Sequence, residues 1–271
     1  MIDPKLQAEL RERFNPDGSL LRRHQLRMLE MLIYIDGICK ENNIPYWLSS
    51  GTCLGAVRHE GFIPWDDDVD IEMLKSDYPR FKQMMEKDSN INIVFQTHDS
   101  DSEYFAPYGK IRDLNSIIEE GNCHDRYYKY RGVYIDVFVI EPSVSRIIAR
   151  VSGSMQNRLQ YPLSKIQNRT LRKVATNSMY LFLSKLVYPF LSLITCHRTE
   201  SQRLRHIHGS GFVKPRYYED LFPLTYISFE GCSLPVPRNY HHYLSAIYGD
   251  YMKIPEFSKI KIHLSKVILN P

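Results

Sequence analysis

Apolar and polar positions along the chain follow two different periods, and these periods predict both helices and strands. Through the first 44 residues, apolar side chains recur at roughly helical spacing with charged residues between them, so this region is predicted to be helical. Pro45 ends the helix, because the residue before a proline is disfavoured in helical backbone. In residues 69–74, apolar side chains alternate with Asp70 and Glu72, which is the period of a strand with one buried face.

Shorter elements follow from the same two periods. Helices are expected at residues 52–59, 76–88 and about 240–247. Further strands are expected at residues 46–48, 91–96, 105–113, 134–140 and 226–229, and a proline-containing turn at 234–237. Because strands and helices are mixed along the chain, we predict an α+β (mixed α/β) fold in which helices flank a core sheet.

Residues 143–210 differ in character, so we expect a core with N-terminal helices at 1–142, a basic, partly apolar helical insertion at 143–210, and a C-terminal segment at 211–271 that packs back on the core. Residues 179–194 are mostly apolar, but the run is interrupted and shorter than the roughly 20 residues that a membrane-spanning helix needs. Two interpretations stay open for the insertion. It is either a pair of core helices or a membrane-surface element whose cations meet anionic lipid headgroups.

Composition and charge exclude several classes of protein. The chain has 271 residues, 43% hydrophobic and 24% charged, which is typical of a folded protein and excludes disordered, collagen-like and disulfide-scaffold classes. The net charge of +4 hides an uneven distribution, because the stretch between Glu141 and Glu200 contains nine Lys or Arg and no acidic residue. The other residues carry 26 basic and 31 acidic side chains. An acidic body with one basic segment argues against a nucleic-acid partner.

Cysteine spacing and the N-terminal residues indicate a reducing compartment. Five cysteines stand far apart without a C-x-x-C pair: Cys39, Cys53, Cys123, Cys196 and Cys232. The first residues lack the basic start and apolar run of a secretory signal, so we expect a cytoplasmic protein, peripheral at the inner membrane face if the insertion is a membrane-surface element. Four histidines lack the companions of a zinc site and are expected at the surface: His206, His208, His241 and His242.

The most informative segment carries four aspartates in five positions. On an extended chain, Asp66, Asp68 and Asp70 share one face. Like charges about 4 Å apart repel by roughly 4 kcal/mol at an effective dielectric near 20, so a cation is expected to offset them. Oxygen-only ligands favour Mg²⁺ or Mn²⁺, normally shared with substrate phosphates. Standing alone, such a run would more often be an acidic surface turn.

The aspartates follow a small-residue loop at short range. Residues 49–52, Ser-Ser-Gly-Thr, lie between a predicted strand and a predicted helix. Such a loop lets backbone N–H groups reach a phosphate, and the helix N-terminus favours its negative charge. A phosphate-binding loop followed closely by a metal-binding strand is a stronger signal than either feature alone.

A further acid lies in a strand that otherwise looks central. Asp136 is the lone charge within residues 133–140, and a buried carboxylate is unfavourable unless it is neutralised. A structural salt bridge with Lys110 or Arg112 would neutralise it. We favour metal ligation or general-base catalysis beside Asp68 and Asp70.

Residues 48–71, which hold the small-residue loop and the aspartates, resemble the signature of LicD-type phosphotransferases. These include bacterial phosphocholine transferases, and fukutin and fukutin-related protein are more distant relatives. The resemblance continues through residues 110–113, 134–138, 229–231, 236–240 and 248–251. It implies a nucleotidyltransferase-like fold and metal-dependent transfer of a phosphorylated alcohol, such as phosphocholine, from a CDP-activated donor. The acceptor would be a hydroxyl of a cell-surface glycan or of its lipid-linked precursor.

The resemblance also implies residue roles. Asp68 and Asp70 match the metal-binding pair, and Asp136 matches a later strand acid that would bind metal or act as the base. Substrate-binding positions would be Ser50, Gly51, Thr52, Arg58, Lys110 and Arg112. For Arg58, a solvated helix end is an equal alternative. The family's acceptor-determining parts are variable, and we read no family motif in residues 143–210.

Two other functions remain open from the sequence. Asp68 and Asp70 also fit the Asp-x-Asp motif of glycosyltransferases that use nucleotide-sugar donors. Against this, a Ser-Gly loop and a short helix precede the acids, where a nucleotide-binding βαβ start would be expected. The second alternative is a non-catalytic basic module that binds membranes.

Overall fold

The computed structural model describes residues 2–119, 125–143, 145–195, 203–260 and 266–269. The first part of the chain contains α1 (Pro4–Phe14), α2 (Leu20–Glu41), β1 (Trp47–Leu48), α3 (Ser50–His59), β2 (Asp70–Leu74), α4 (Tyr78–Lys87), β3 (Ile93–Gln96), β4 (Gly109–Asp113), β5 (Ser116–Glu119) and β6 (Tyr134–Pro142). The second part contains α5 (Arg146–Lys165), α6 (Arg169–Phe182), α7 (Tyr188–Thr195), β7 (Arg203–His206), β8 (Arg216–Tyr217), α8 (Tyr218–Leu221), β9 (Thr225–Phe229), β10 (Cys232–Val236), α9 (Tyr240–Tyr248) and β11 (Lys266–Leu269).

The main sheet has the strand order β1-β2-β6-β4-β3, and the end of β6 also pairs with β7, which pairs with β8. Strands β2 and β6 are parallel, whereas β1, β4 and β7 pair antiparallel with their neighbours. Two further pairs, β9 with β10 and β5 with β11, lie outside this sheet. The mixed pairing and the flanking helices confirm the predicted α+β class.

One face of the main sheet forms the hydrophobic core. Ile71, Val137 and Ile111 lie on this face of three neighbouring strands, and each side chain is completely buried. They belong to the same apolar cluster as Leu32 of α2 and Phe81 of α4. The opposite face of the same strands carries the polar residues of the alternating pattern.

The predicted elements are largely confirmed, with two kinds of difference. The helix expected through the first 44 residues is two helices, because Asp3 caps α1 and Ser19 caps α2 after a break at residues 15–19. The turn expected at 234–237 is wrong, because Leu234 and Pro235 lie in β10 and pair with β9.

The predicted insertion contains three helices and one strand of the main sheet. Helices α6 and α7 are joined by a π-helical turn at Leu183–Val187, so Arg169–Thr195 is one continuous helix of 27 residues. This stretch is longer than the apolar run expected from sequence. By length and composition it could cross a membrane, and 17% of its most apolar window is buried. Strand β7 lies within residues 143–210 but pairs with β6.

Candidate active site

A row of charged side chains crosses three neighbouring strands on the polar face of the main sheet. Asp70 of β2 is the register partner of Asp136 of β6, and Asp136 is the partner of Lys110 of β4. Register partners project from the same face of a sheet, so the two carboxylates and the ammonium are neighbours. The structure therefore brings together three of the residues that the sequence predicts for the site.

The backbone of Asp70 is held on both sides by the segment that begins α3. Its N–H donates to the hydroxyl oxygen of Thr52 at 2.8 Å, and its C=O accepts from the N–H of Ser49 at 2.9 Å. Thr52 is predicted from sequence to bind substrate. The structure places its hydroxyl against the backbone of a site carboxylate, where it fixes the position of Asp70.

Negative charge accumulates at the start of β2. Burial raises the pKa of Asp70 well above its ordinary value, and the carboxylates of Asp68 and Asp136 raise it further. Burial also raises the pKa of Asp66, with smaller contributions from Asp68 and Asp67. The acids therefore lie close enough to disfavour one another's ionisation, and a bound cation would reverse this effect.

Asp136 forms the salt bridge that the sequence offers as one of its alternatives. The Nζ of Lys110 lies 2.7 Å from Oδ1 of Asp136, and the two side chains are only 11% and 12% exposed. The same ammonium lies 3.4 Å from the centroid of the Tyr134 ring. A further role of Asp136 as metal ligand or general base stays a prediction.

The loop predicted to bind phosphate is tightly packed against the rest of the protein. Ser50 has a positive φ of 44°, its N–H donates to the hydroxyl of Tyr243 at 3.1 Å, and its hydroxyl accepts from Arg216 at 3.2 Å. A Cβ on Gly51 would lie 3.3 Å from Oδ2 of Asp66, so glycine lets this carboxylate approach the N-terminus of α3. The positive end of the helix dipole favours negative charge at this place.

Glu72 is a buried acid that the sequence pattern does not single out. It is completely buried, and its carboxylate accepts from Arg216 at 2.8 Å, Trp47 at 2.9 Å and Tyr243 at 3.2 Å. Burial alone raises the pKa of Glu72, but Arg216 and His206 together hold it below its ordinary value. Glu72 therefore ties β1, β8 and α9 to the strand that carries Asp70.

Two arginines predicted as phosphate contacts lie in the interior. Arg58 is 4% exposed and donates to the carbonyl of Tyr251 at 2.7 Å, and burial lowers its pKa to about 10. A solvated helix end, the alternative for Arg58, is therefore wrong. Arg112 is 1% exposed and donates to Oε1 of Gln96 and to the carbonyl of Gly132, both at 2.8 Å. Both guanidinium groups make hydrogen bonds within the protein.

The N-terminal helices hold the acidic loop from the opposite side. The Nε2 of His24 donates to the carbonyl of Asp67 at 2.8 Å, and the amide of Gln25 donates to the carbonyl of Asp66 at 2.8 Å. The ring of Trp65 packs edge-on against an aromatic ring of α1. Helices α1 and α2 therefore fix the backbone from which the aspartates project.

Tyr248 at the end of α9 faces the same acids and was not predicted as a site residue. Burial raises the pKa of its hydroxyl, and Asp70 and Asp66 raise it further. The side chain nevertheless keeps part of its surface accessible, since Tyr248 is 45% exposed. Its place in residues 248–251, part of the family resemblance, is the signal that could have identified it.

The expectation of four surface histidines is half correct. His241 and His242 are exposed, whereas His206 and His208 are each only 4% exposed. The expectation was wrong for His206 because the Nε2 of its ring lies 3.0 Å from Oε1 of the buried Glu72. His208 is buried against the insertion helices, between Ser152 and Thr195.

The acids supply the donor chemistry of a divalent-cation site without a closed set of ligands. Within the described residues, no group of three or more His, Cys, Asp or Glu side chains has the arrangement of a metal site. Asp68, Asp70 and Asp136 offer carboxylate oxygens, which suit Mg²⁺ or Mn²⁺, and their mutual repulsion favours a bound cation. The residues fit an open site in which other oxygens complete the coordination.

Comparison with known proteins identifies relatives of this chain. Residues 43–182 match the LicD/FKTN/FKRP family, nucleotidyltransferase domain. The chain is 29% identical over 258 residues to the lipopolysaccharide cholinephosphotransferase LicD of Haemophilus influenzae, covering 90% of this chain and 95% of the relative. It is 44% identical over 62 residues to the ribitol-5-phosphate transferase FKTN of Mus musculus, covering 23% of this chain and 13% of that protein. Since the family match spans just over half of the chain, the protein belongs to the LicD/FKTN/FKRP family.

Proposed function

We propose that this transferase of phosphate-containing groups moves a phosphorylated alcohol, such as phosphocholine, from a CDP-activated donor to a hydroxyl of a cell-surface glycan or its lipid-linked precursor. The register pairing of Asp70 with Asp136, beside the N-terminus of α3, is the observation that carries the proposal. It sets carboxylates next to a site that favours phosphate. A cholinephosphotransferase and ribitol-5-phosphate transferases among the relatives support this choice of reaction.

The acids at the start of β2 would hold the divalent cation. Asp68 and Asp70, with Asp136 at the edge, would bind Mg²⁺ or Mn²⁺, which would offset the negative charge of the diphosphate and polarise it towards attack. Asp70 is suited to this role because its backbone is fixed by Thr52 and Ser49, so its carboxylate is oriented before substrate binds.

The remaining site residues would bind and orient the reactants. The carboxylate of Asp136 is paired with the ammonium of Lys110, and Asp136 would either contribute to the cation site or accept the proton of the acceptor hydroxyl. The backbone of α3 at Gly51 would face the donor phosphate, while Ser50 holds the loop against Tyr243. Arg58 and Arg112, both buried, would add positive potential to the site without needing to touch the donor.

The proposal includes a cellular location. A lipid-linked precursor carries its glycan at a membrane surface, so the enzyme would work in the cytoplasm, at the inner membrane face. No nucleic-acid partner is proposed, because the core that contains the site has an excess of acidic residues.

Thermal unfolding in the presence of donors tests the reaction class. We expect CDP-choline or CDP-ribitol, with Mg²⁺, to raise the unfolding temperature of the wild-type protein. Asp70→Asn should lose the Mg²⁺-dependent part of this increase, whereas Asp17→Asn, at an exposed aspartate between α1 and α2, should keep it. Stabilisation by UDP- or GDP-sugars alone would instead support a glycosyltransferase.

A further inference from the structure

Helices α5, α6 and α7 form an antiparallel hairpin with two different faces. The N-terminal half of α5 lies beside the end of α7, because His208 contacts Ser152 of α5 and Thr195 of α7 at 3.3 Å each. At the other end, the C-terminal part of α5 and the start of α6 line one small cavity, to which Gln160 and Arg172 both contribute. The hairpin therefore lies along the rest of the protein over its whole length.

Polar contacts anchor the inward face of α6 and α7 to the body of the protein. Four side chains along the helix bond to residues in the body of the protein, in the pairs Arg172–Glu103, Asn177–His98, Ser192–Glu141 and Thr195–His208. A fifth pair, Tyr188–Gln156, joins α7 to α5 within the hairpin. The pair of Arg172 and Glu103 is nearly buried, with side chains 7% and 6% exposed. These contacts run from the first turn of α6 to the last residue of α7.

The outward face is apolar. Eight large apolar side chains on the hairpin are more than half exposed: Ile147, Val151, Leu171, Val174, Phe182, Leu186, Phe190 and Leu193. Leu193 is 78% exposed and Ile147 is 76% exposed, and these two lie at the same end of the hairpin. Eight large apolar side chains exposed on one helical hairpin are unfavourable in water, and such exposure marks a surface that binds a partner.

Exposed cations accompany this apolar face. Six are exposed on the hairpin: Arg146, Arg150, Arg158, Lys165, Arg169 and Lys185. The sequence has no Asp or Glu anywhere between Glu141 and Glu200 to offset them. Apolar side chains flanked by unopposed cations complement a bilayer with anionic headgroups. A protein partner or a second copy of the chain would have to supply a strongly acidic apolar surface.

We propose that the outward face of the hairpin α5–α7 lies flat in the headgroup region of an anionic membrane. A flat orientation follows from the anchoring contacts, because a helix that crossed the bilayer would have to give up Arg172–Glu103 and the polar pairs beyond it. The 27-residue length of Arg169–Thr195 thus serves as a lateral contact with the membrane. The inference deepens the proposed location and does not depend on the reaction.

Flotation with vesicles tests the apolar part of the surface. The full chain should float with vesicles of phosphatidylcholine and phosphatidylglycerol, and much less with phosphatidylcholine alone. The triple variant Leu186→Gln, Phe190→Gln, Leu193→Gln should lower the bound fraction by roughly tenfold or more, because three apolar side chains no longer enter the interface. Ile91→Gln removes an apolar side chain that is 85% exposed outside the hairpin and should bind as the wild type does.

The cations have their own matched pair of variants. One triple variant replaces three hairpin cations: Arg158→Gln, Lys165→Gln, Arg169→Gln. It should lower binding to the anionic vesicles by roughly tenfold or more and weaken the dependence of binding on salt. The control is a second triple variant, Lys5→Gln, Lys87→Gln, Lys253→Gln, which removes the same charge from exposed positions elsewhere. This control should leave binding unchanged. Asp70→Asn should also float normally, which separates failure of this proposal from failure of the proposed reaction.

Depth measurements distinguish a flat helix from a spanning one. Tryptophan placed at Val174, Phe182 or Leu193 should be quenched by lipids brominated close to the headgroup, to a similar extent at all three positions. Deep acyl quenching at Phe182, with shallow quenching at the other two positions, would show a spanning helix and overturn the proposal. Wild-type protein that does not bind the vesicles would also overturn the proposal. So would wild-type protein that self-associates through the face containing Leu186, Phe190 and Leu193 without binding vesicles.

Discussion

Asp70 and Asp136 face each other as register partners on the parallel strands β2 and β6. The pairing is fixed by backbone hydrogen bonds, including the bond from the N–H of Asp136 to the carbonyl of Val69 at 2.9 Å. The two carboxylates therefore stay close whatever rotamers their side chains adopt. Burial raises the pKa of Asp70 and the nearby carboxylate of Asp136 raises it further, an effect that a bound cation would reverse.

The first prediction concerns the pH dependence of stability without metal. Burial and the neighbouring carboxylates raise the pKa of Asp70 in the folded state above its unfolded value near 3.8. The folded state therefore binds the proton of the Asp70 carboxyl more tightly than the unfolded state does. The stability that this proton contributes to the folded state is lost as the pH rises through the raised pKa. Asp70→Asn lacks this loss, so its unfolding temperature in chelator should exceed that of the wild type increasingly as the pH rises from about 4 towards neutrality.

Thermal scans over pH, with and without Mg²⁺, provide the check. Added Mg²⁺ should stabilise the wild type at neutral pH and leave Asp70→Asn unchanged. Parallel pH curves for the two proteins in chelator would contradict the electrostatic description of the acid cluster.

The second prediction concerns Thr52, whose hydroxyl accepts from the N–H of Asp70. Thr52→Val keeps the shape but leaves the partly buried N–H of Asp70 without its acceptor, which should lower the free energy of unfolding by about 1–2 kcal/mol. Turnover should fall by more than the loss of folded protein explains, because the carboxylate of Asp70 moves when its backbone moves. Thr52→Ser restores the hydroxyl and should recover both turnover and stability. Equal turnover in Thr52→Val and the wild type would show that the contact has no positioning role.

The third prediction concerns the buried pair of Glu72 and Arg216, which are 2.8 Å apart. Arg216→Met leaves the Glu72 carboxylate buried without the guanidinium that neutralises it, so we expect a loss of about 3–5 kcal/mol in the free energy of unfolding. The double variant Glu72→Gln, Arg216→Met removes both charges and should recover part of the loss. Urea unfolding of the single and double variants measures both. A single variant as stable as the wild type would show that the pair contributes little.

The fourth prediction concerns Tyr248, whose hydroxyl lies in the field of Asp66 and Asp70. Tyr248→Phe removes only the hydroxyl of a side chain that is 45% exposed, so stability should change by less than about 0.5 kcal/mol. Turnover should fall by roughly tenfold, because we expect the hydroxyl to orient the donor diphosphate beside these acids. Unchanged turnover in Tyr248→Phe would contradict this role. Tyr226→Phe, at a tyrosine of similar exposure on β9, is the matched control and should leave turnover unchanged.

The sequence predicts the parts of the fold that local pattern controls. The alternation around Asp70 predicts β2, and the position of Asp136 as the lone charge of an apolar run predicts a central strand. The pairing of β10 with β9 was missed because Pro235 suggests a turn, yet a proline is tolerated in an edge strand. Strand β7 was missed because its sequence is charged and its pairing partner β6 lies far back in the chain.

The acidic residues of the site could be predicted from the sequence, whereas most of the residues that hold them in place could not. The acidic run and the small-residue loop are contiguous in sequence, so their chemistry is readable directly. The burial of Arg112 and of His206 depends on partners brought together only by the fold, namely Gln96 for the first and Glu72 for the second. Glu72 itself looks like the polar side of a strand, because alternation alone does not reveal what covers that face.

The most direct test of the central claim is release of CMP from a CDP-alcohol donor by the purified protein, with a lipid-linked glycan acceptor from the source cell. We predict CMP release from CDP-choline or CDP-ribitol that requires both acceptor and Mg²⁺, is abolished in Asp70→Asn and is retained in Asp17→Asn. Undiminished release by Asp70→Asn, or release that persists fully in chelator, would contradict the assignment of Asp68, Asp70 and Asp136 as the catalytic cation site.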